Sequence, residues 1–138
     1  MKNPLDPLLD RLSLPMDVAG RVLLGLYFVV PGLMKVGGFA GTLAYMKLHG
    51  VPFALPLLLL TIPMQVGGGL ALMANWNTRT AAFLLAGLTL VINLFMHDFW
   101  NDYPGGNPQH EMQNFIKNLG IFAGLLLLAA RRPGQPTR

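Results

Sequence analysis

The sequence predicts an all-α integral membrane protein, a four-helix bundle with both termini cytoplasmic. Three observations carry this reading. Of the 138 residues, 53% are apolar and only 12% are charged, and the apolar residues fall into four blocks. Residues 55–75 contain no charged side chain, which is about the twenty positions a helix needs to cross the hydrocarbon core. The blocks also lack the polar face at every turn that a helix of a soluble bundle shows to water. Block 80–96 is nearly as long and equally uncharged. Blocks 22–34 and 119–130 are shorter, and span only if Arg21 and Lys35, or Lys117, lie within the helix and reach toward headgroups.

Charge sets the orientation. With four spans, one side carries Lys2, Arg11, Arg21, Arg79, Arg131, Arg132 and Arg138, and the other only Lys35, Lys47 and Lys117. That asymmetry puts the termini and the loop at Arg79 in the cytoplasm. The net charge of +4 is therefore a topology signal, and no basic stripe interleaved with aromatics points to nucleic acid. The chain contains no cysteine, so disulfides, thiolate nucleophiles, iron–sulfur clusters and cysteine-ligated zinc are excluded for this chain alone. Redox chemistry requires a bound cofactor or a partner protein. The amino terminus lacks a basic region leading directly into a short apolar run with a small-residue cleavage site, so no removable signal peptide is expected.

Residues 1–17 carry three prolines among alternating charges and leucines, and form an amino-terminal segment that is either interfacial or disordered. The membrane domain covers 18–130, and 131–138 is a basic cytoplasmic tail. Span one is expected over 18–36, with Arg21 at the inner headgroups, Lys35 at the outer ones and Pro31 able to kink it. Gly37, Gly38 and Gly41 break the helix, and 39–48 suits a short outer interfacial helix. Span two, 53–74, holds Pro56, Pro63, Gln65 and three consecutive glycines, Gly67 to Gly69; the glycines allow another backbone to approach closely. Gln65 lies near mid-depth, where interhelical hydrogen bonding is the first reading and ligand contact the second. Residues 75–78 form the inner turn, with Trp76 at headgroup level. Span three covers 79–99 and places Asn93 and His97 on one face. Trp100 and Tyr103 then read as interfacial belt residues. Span four begins near Glu111 or Met112, and its first turns present Gln113, Asn114, Lys117 and Asn118, paired at a spacing of four. Gly120 and Gly124 follow at a small-xxx-small spacing.

The stretch 96–118, MHDFWNDYPGGNPQHEMQNFIKN, holds two of the three histidines and every acidic residue beyond position 17. Four spans bring Lys35, Asn93, His97, Gln113, Asn114, Lys117 and Asn118 to the outer end, with Gln65 deeper. Hydrophilic groups in hydrocarbon face the bundle interior and mark ligand or proton pathways. The candidate site is a half-buried pocket toward the outer leaflet, suited to a polar head with an apolar tail, such as a quinone. In it Lys117 or Asn93 donates to a ligand carbonyl, and His97, oriented by Asp98, exchanges protons near neutral pH. The competing reading is a self-satisfied network in which Lys117 pairs with Asp98 or Glu111. His49, His97 and His110 all fall on the outer side, but without a helical ligand spacing no metal site is expected. No catalytic residue is assigned.

Several stretches resemble the DoxX family of small four-helix membrane proteins: RVLLGLYFVVPGLMK in span one, MQVGGGLALM and NTRTAAFLLAG across spans two and three, then HDFW and NPQHEMQNFIKNLGIFAGLLLL. The likeness covers residues 20–130. Family positions match at Arg21, Gly25, Gly32, Lys35, Gly68, Gly69, Arg79, His97, Trp100, Gln113, Lys117 and Asn118. Gln65 stands where the family often has glutamate, which removes a mid-membrane acid. The resemblance implies a bacterial-type cytoplasmic membrane location and an association with quinone-linked redox systems, because the family takes its name from a subunit of a thiosulfate:quinone oxidoreductase. The leading expectation is a membrane subunit, not catalytic alone, that binds a quinone-like or other amphiphilic molecule for a redox partner protein. The alternatives are a non-enzymatic assembly or stress-related membrane protein, and a small-molecule transporter that would work as a homo-oligomer.

Overall fold

A computed structural model describes residues 3–133; Lys2 and Arg138, counted in the charge asymmetry, and the tail beyond Pro133 lie outside the described residues. Those residues form five helices and no strand: α1 Asp6–Gly37, α2 Phe39–Leu48, α3 Ala54–Met73, α4 Thr78–Met96 and α5 Pro108–Ala130. Four of them, all but α2, are long and apolar enough to cross a membrane, so the expected integral membrane architecture is the one observed.

Helix α1 differs from expectation at its start. It is one helix of 32 residues rather than a span preceded by a separate segment. The amide of Leu5 is held by the Asn3 side chain at 3.0 Å, and Pro7 sits in the first turn, where its missing N–H costs nothing. Leu5, Leu8, Leu9 and Leu12 recur at helical spacing. Pro15 removes one donor, but its fixed φ is compatible with the helix, which continues through it. At 1.5 Å per residue α1 is about 48 Å long, well over the roughly 30 Å hydrocarbon core. Its first turns therefore stand outside the bundle.

The turns follow from their residues. Asn75 and Asn77 adopt φ values of 54° and 43° between α3 and α4, a left-handed conformation that asparagine tolerates better than most side chains. Helix α5 begins about a turn before the expected Glu111. Asn107 caps it, accepting from the His110 amide at 3.1 Å, and Pro108 fills its first position.

Helix α1 packs on α3, α3 on α4, and α4 on α5, so α1 and α5 form the two flanks. The tightest crossing is between α1 and α3. A Cβ at Gly25 would stand 2.5 Å from the Gly69 carbonyl oxygen, and one at Gly69 would stand 2.6 Å from the Gly25 oxygen. Gly68 faces Leu85 of α4, whereas Gly67, Gly120 and Gly124 have open space beside them. The main core gathers Phe28, Leu72, Leu85 and Leu125, and a smaller outer cluster joins Met46 of α2 to Ala54 and Leu58 of α3.

At the end of the bundle where Arg21, Arg79 and Arg131 gather, the end expected to be cytoplasmic, the assignment of Arg21 to the headgroups is corrected. Its residue is 7% exposed, and it donates to the carbonyl of Leu72 at 3.0 Å and to Asp17 at 2.9 Å. The last carbonyls of α3 lack helical partners, and a guanidinium beside them also meets the negative end of the helix dipole. Asp17 pairs with Arg131 as well. Arg79 does for α5 what Arg21 does for α3, donating to the Ala129 carbonyl at 2.9 Å.

Candidate functional site

Helix α5 starts at the end of the bundle opposite Arg21 and Arg131, and Lys117 stands nine residues beyond Pro108, about 14 Å down the axis. Between the flanking helices α1 and α5 is a cleft of about 650 Å³ lined by Leu24, Tyr27, His97, Asn114, Lys117, Asn118, Gly120 and Ile121. Four predicted site residues, His97, Asn114, Lys117 and Asn118, are thus brought together. Tyr27 bridges the cleft, donating to Asn118 Oδ1 at 2.5 Å. No hydrogen bond or ion pair holds the Lys117 ammonium among the described residues.

The other predicted residues go elsewhere. Asn93 is 1% exposed and donates to the Phe115 carbonyl at 3.1 Å, which makes it a tie between α4 and α5 rather than part of the cleft wall. Its Oδ1 and the Oε1 of buried Gln65 have no partner. Lys35 lines a different hollow, about 530 Å³ and almost wholly apolar, between α3 and α4. Gln113 is exposed.

The expected pairing of Asp98 with His97 is replaced by two separate carboxylate–histidine pairs. Asp98 Oδ1 lies 2.7 Å from His49 Nδ1, and Glu111 Oε2 lies 2.6 Å from His97 Nδ1. With both acids engaged this way, the alternative pairing of Lys117 with Asp98 or Glu111 is not what forms. Asp98 also accepts from Asn101 at 2.8 Å and from the Tyr103 hydroxyl. Tyr45 donates to Glu111 Oε1 at 3.1 Å and packs on His49, with ring centroids 4.3 Å apart. Tyr45 and His49 come from one edge of α2, four residues apart, so the interfacial helix delivers both rings. Together with the turn at 104–108, Tyr45, His49, Asp98, Asn101, Tyr103 and Glu111 line a second cavity of about 390 Å³, at the end expected to face outward.

Burial pushes the Asp98 carboxyl up, but the hydrogen bonds from Asn101, Tyr103 and His49 outweigh it and hold it below the usual carboxylate range. The Tyr103 hydroxyl is raised by its bond to that carboxylate. Tyr45 is pushed up to about 12 by burial and by neighbouring Glu111. Both tyrosines therefore stay protonated donors near neutral pH.

Sequence reasoning missed His49, Tyr45 and the role of Tyr103. The i, i+4 spacing of Tyr45 and His49 was a usable signal, but nothing local showed that α2 folds over the 96–111 turn. Tyr103 is a donor to Asp98 rather than a belt residue, whereas Trp100 is 55% exposed and packs edge-on against Phe99 and Phe115.

Two inner membrane proteins of Escherichia coli K12 are similar to the chain. YqjF is 41% identical over 118 residues, covering 85% of this chain and 84% of its own. YphA is 32% identical over 114 residues, covering 83% and 81%. No solved structure matches significantly. The DoxX family model matches residues 16–98, from Met16 within α1 to Asp98, and with relatives this similar along most of their length the chain belongs to the DoxX family.

Proposed function

We propose that this chain is a multi-pass inner membrane protein with both termini cytoplasmic, which binds a quinone-like amphiphile in the α1/α5 cleft and presents it to a redox partner protein. The observation that carries the reading is the cleft itself. It joins an unpaired ammonium, Lys117, and the polar groups of His97, Asn114 and Asn118 to the apolar surface of Leu24 and Ile121. Its volume falls in the range of small-molecule sites, and the donor set fits a polar ring with an apolar tail. Lys117 and Asn114 would hold ring oxygens by hydrogen bonds, and a bound quinone would supply two-electron, two-proton chemistry. The inner-membrane placement follows the two relatives, and the orientation follows the excess of arginine at the end where Arg21, Arg79 and Arg131 gather.

The test is a binding titration of detergent-purified protein with a decyl-tailed benzoquinone. Lys117→Ala should weaken binding at least tenfold, because a hydrogen bond from a charged group contributes about 1.5–3 kcal/mol. Thermal stability should be unchanged, since Lys117 ties no helices together. Saturable binding that Lys117→Ala leaves intact refutes the assignment. Absence of binding by folded wild type favours the assembly reading, for which the exposed leucines of the first turns of α1, Leu5, Leu8, Leu9 and Leu12, supply a surface.

A further inference from the structure

We infer that Glu111 makes the cleft selective for an amphiphile whose ring carries a hydroxyl rather than a carbonyl, by holding His97 in the tautomer whose free nitrogen accepts a hydrogen bond. The inference rests on the amphiphile reading above and names the oxidation state that reading leaves open. His97 lines the cleft, but Glu111 does not; it lines the second cavity. The pair therefore stands in the wall between the two spaces. An ionised carboxylate has only acceptors to offer, so at 2.6 Å the neutral imidazole must carry its proton on Nδ1. Nε2 is then left as a lone pair on the ring edge away from Glu111.

Glu111 is itself fixed in this role. Its other oxygen accepts from Tyr45 at 3.1 Å, and it lies in the first turn of α5, where the helix dipole favours negative charge. The charged and titratable groups around His97 are Glu111 and Lys117 on α5, Tyr27 on α1, Tyr45 on α2 through Glu111, and Asp98, which is taken up by His49. The cleft thus offers an acceptor set by Glu111, His97 Nε2, and the Lys117 ammonium, which only donates, beside the Asn114 amide, which can do either. A ring bearing a hydroxyl satisfies both His97 and Lys117. A ring bearing only carbonyls satisfies Lys117 and sets an oxygen lone pair against the Nε2 lone pair. The loss of one hydrogen bond in a half-exposed site corresponds to about a tenfold difference in affinity. Glu111 acts through His97 and is a positioning residue.

The experiment uses the full chain in detergent micelles at mildly alkaline pH. Nuclear magnetic resonance of isotope-labelled histidine reads the tautomer of His97 without any ligand, with the signal identified by its loss in His97→Gln. Titrations with a decyl-tailed benzoquinol and the matching benzoquinone then read the preference. The expected result is the Nδ1–H tautomer, with the quinol bound about tenfold more tightly than the quinone. In Glu111→Ala the tautomer should be freed and the preference should fall toward unity. If that variant does not fold, Glu111→Gln serves, because an amide can face Nδ1 with either its oxygen or its nitrogen. An Nε2–H tautomer in wild type overturns the inference, as does equal affinity for the two ligands, or a preference that persists without the carboxylate. Binding of neither ligand by folded protein overturns the amphiphile reading and this inference with it. The tautomer measurement, which needs no ligand, shows which of the two steps failed.

Discussion

Gly25→Ala is the sharpest probe of how α1 and α3 are held together. The added Cβ would lie 2.5 Å from the Gly69 carbonyl oxygen, about 0.9 Å short of the 3.4 Å at which ordinary contact begins, and 2.3 Å from Met73 Cγ. The methionine can rotate away; the carbonyl is part of a helix and cannot. The helices must separate, and overpacking of this kind costs about 1–3 kcal/mol. Alanine also gains up to about 1 kcal/mol over glycine in helix propensity, which masks part of the loss. Gly87→Ala provides the correction, since nothing lies within 4 Å of its Cβ position and it receives the propensity gain alone. The difference between the two variants should therefore show the steric cost directly, about 1–3 kcal/mol. Unfolding in mixed micelles of mild detergent and dodecyl sulfate, followed by circular dichroism, measures it. Gly69→Ala attacks the same contact from the other side, at 2.6 Å from the Gly25 oxygen. The double variant should then cost less than the sum of the singles, because helices already parted by one methyl have room for the second. A Gly25→Ala protein as stable as Gly87→Ala would refute the close crossing.

Two further outcomes follow from the polar network and the caps. The Asp98 carboxyl is held below its ordinary value of 3.8 in the folded protein, so its stabilising contribution is fully present above that value and is lost as pH falls through the lower folded one; acid unfolding curves should show this component in wild type and lose it in Asp98→Asn, and identical curves would refute it. Arg21→Met should destabilise by roughly 2–3 kcal/mol, since it strips a charged donor from a buried carbonyl, whereas Arg79→Met, at an exposed bond to Ala129, should cost under about 1 kcal/mol; equal losses in the same micelle assay would contradict the burial difference.

The spans were legible because hydrocarbon demands long uncharged runs, and 55–75 and 80–96 supply them without competing signals. Helix α2 was legible from glycines on one side and Gly50 and Pro52 on the other. The extent of α1 was not, because Pro15 reads locally as a breaker although α1 continues through it. The start of α5 was written in Asn107–Pro108, a cap followed by a first-turn proline, and was passed over. In the site, Asn114, Lys117 and Asn118 were found because they lie on a helix face whose period fixes their direction, whereas His97 stands just past the last residue of α4, where the helical period no longer holds. The misassigned residues are those whose partners lie far along the chain. Asp98 meets His49, 49 residues away, and Arg21 meets Leu72, 51 residues away. Both pairings depend on helix order and tilt, which periodicity does not encode.

Those long-range pairings explain why the chemistry gathers at one end. Arg21 and Lys35 stand fourteen residues apart, as do Arg79 and Asn93, and the structure gives the spacing a meaning. The chain is two helix hairpins, α1 with α3 and α4 with α5, in each of which an arginine on the first helix holds the last carbonyls of the second. The arginine-bearing ends of both hairpins are therefore fixed in the same way. At the opposite end the hairpins diverge: Asn93 ties α4 to α5, whereas Lys35 faces an apolar hollow. In place of a second tie, α2 folds across and sends Tyr45 to Glu111 and His49 to Asp98. The α1/α5 cleft thus reaches the His97–Glu111 pair, while at the opposite end of the bundle Asp17 of α1 pairs with Arg131, just past α5. A ligand entering between α1 and α5 from the bilayer would find Lys117, His97 and Asn114 with hydrogen-bonding capacity left over, and Glu111 connects that point to the second cavity.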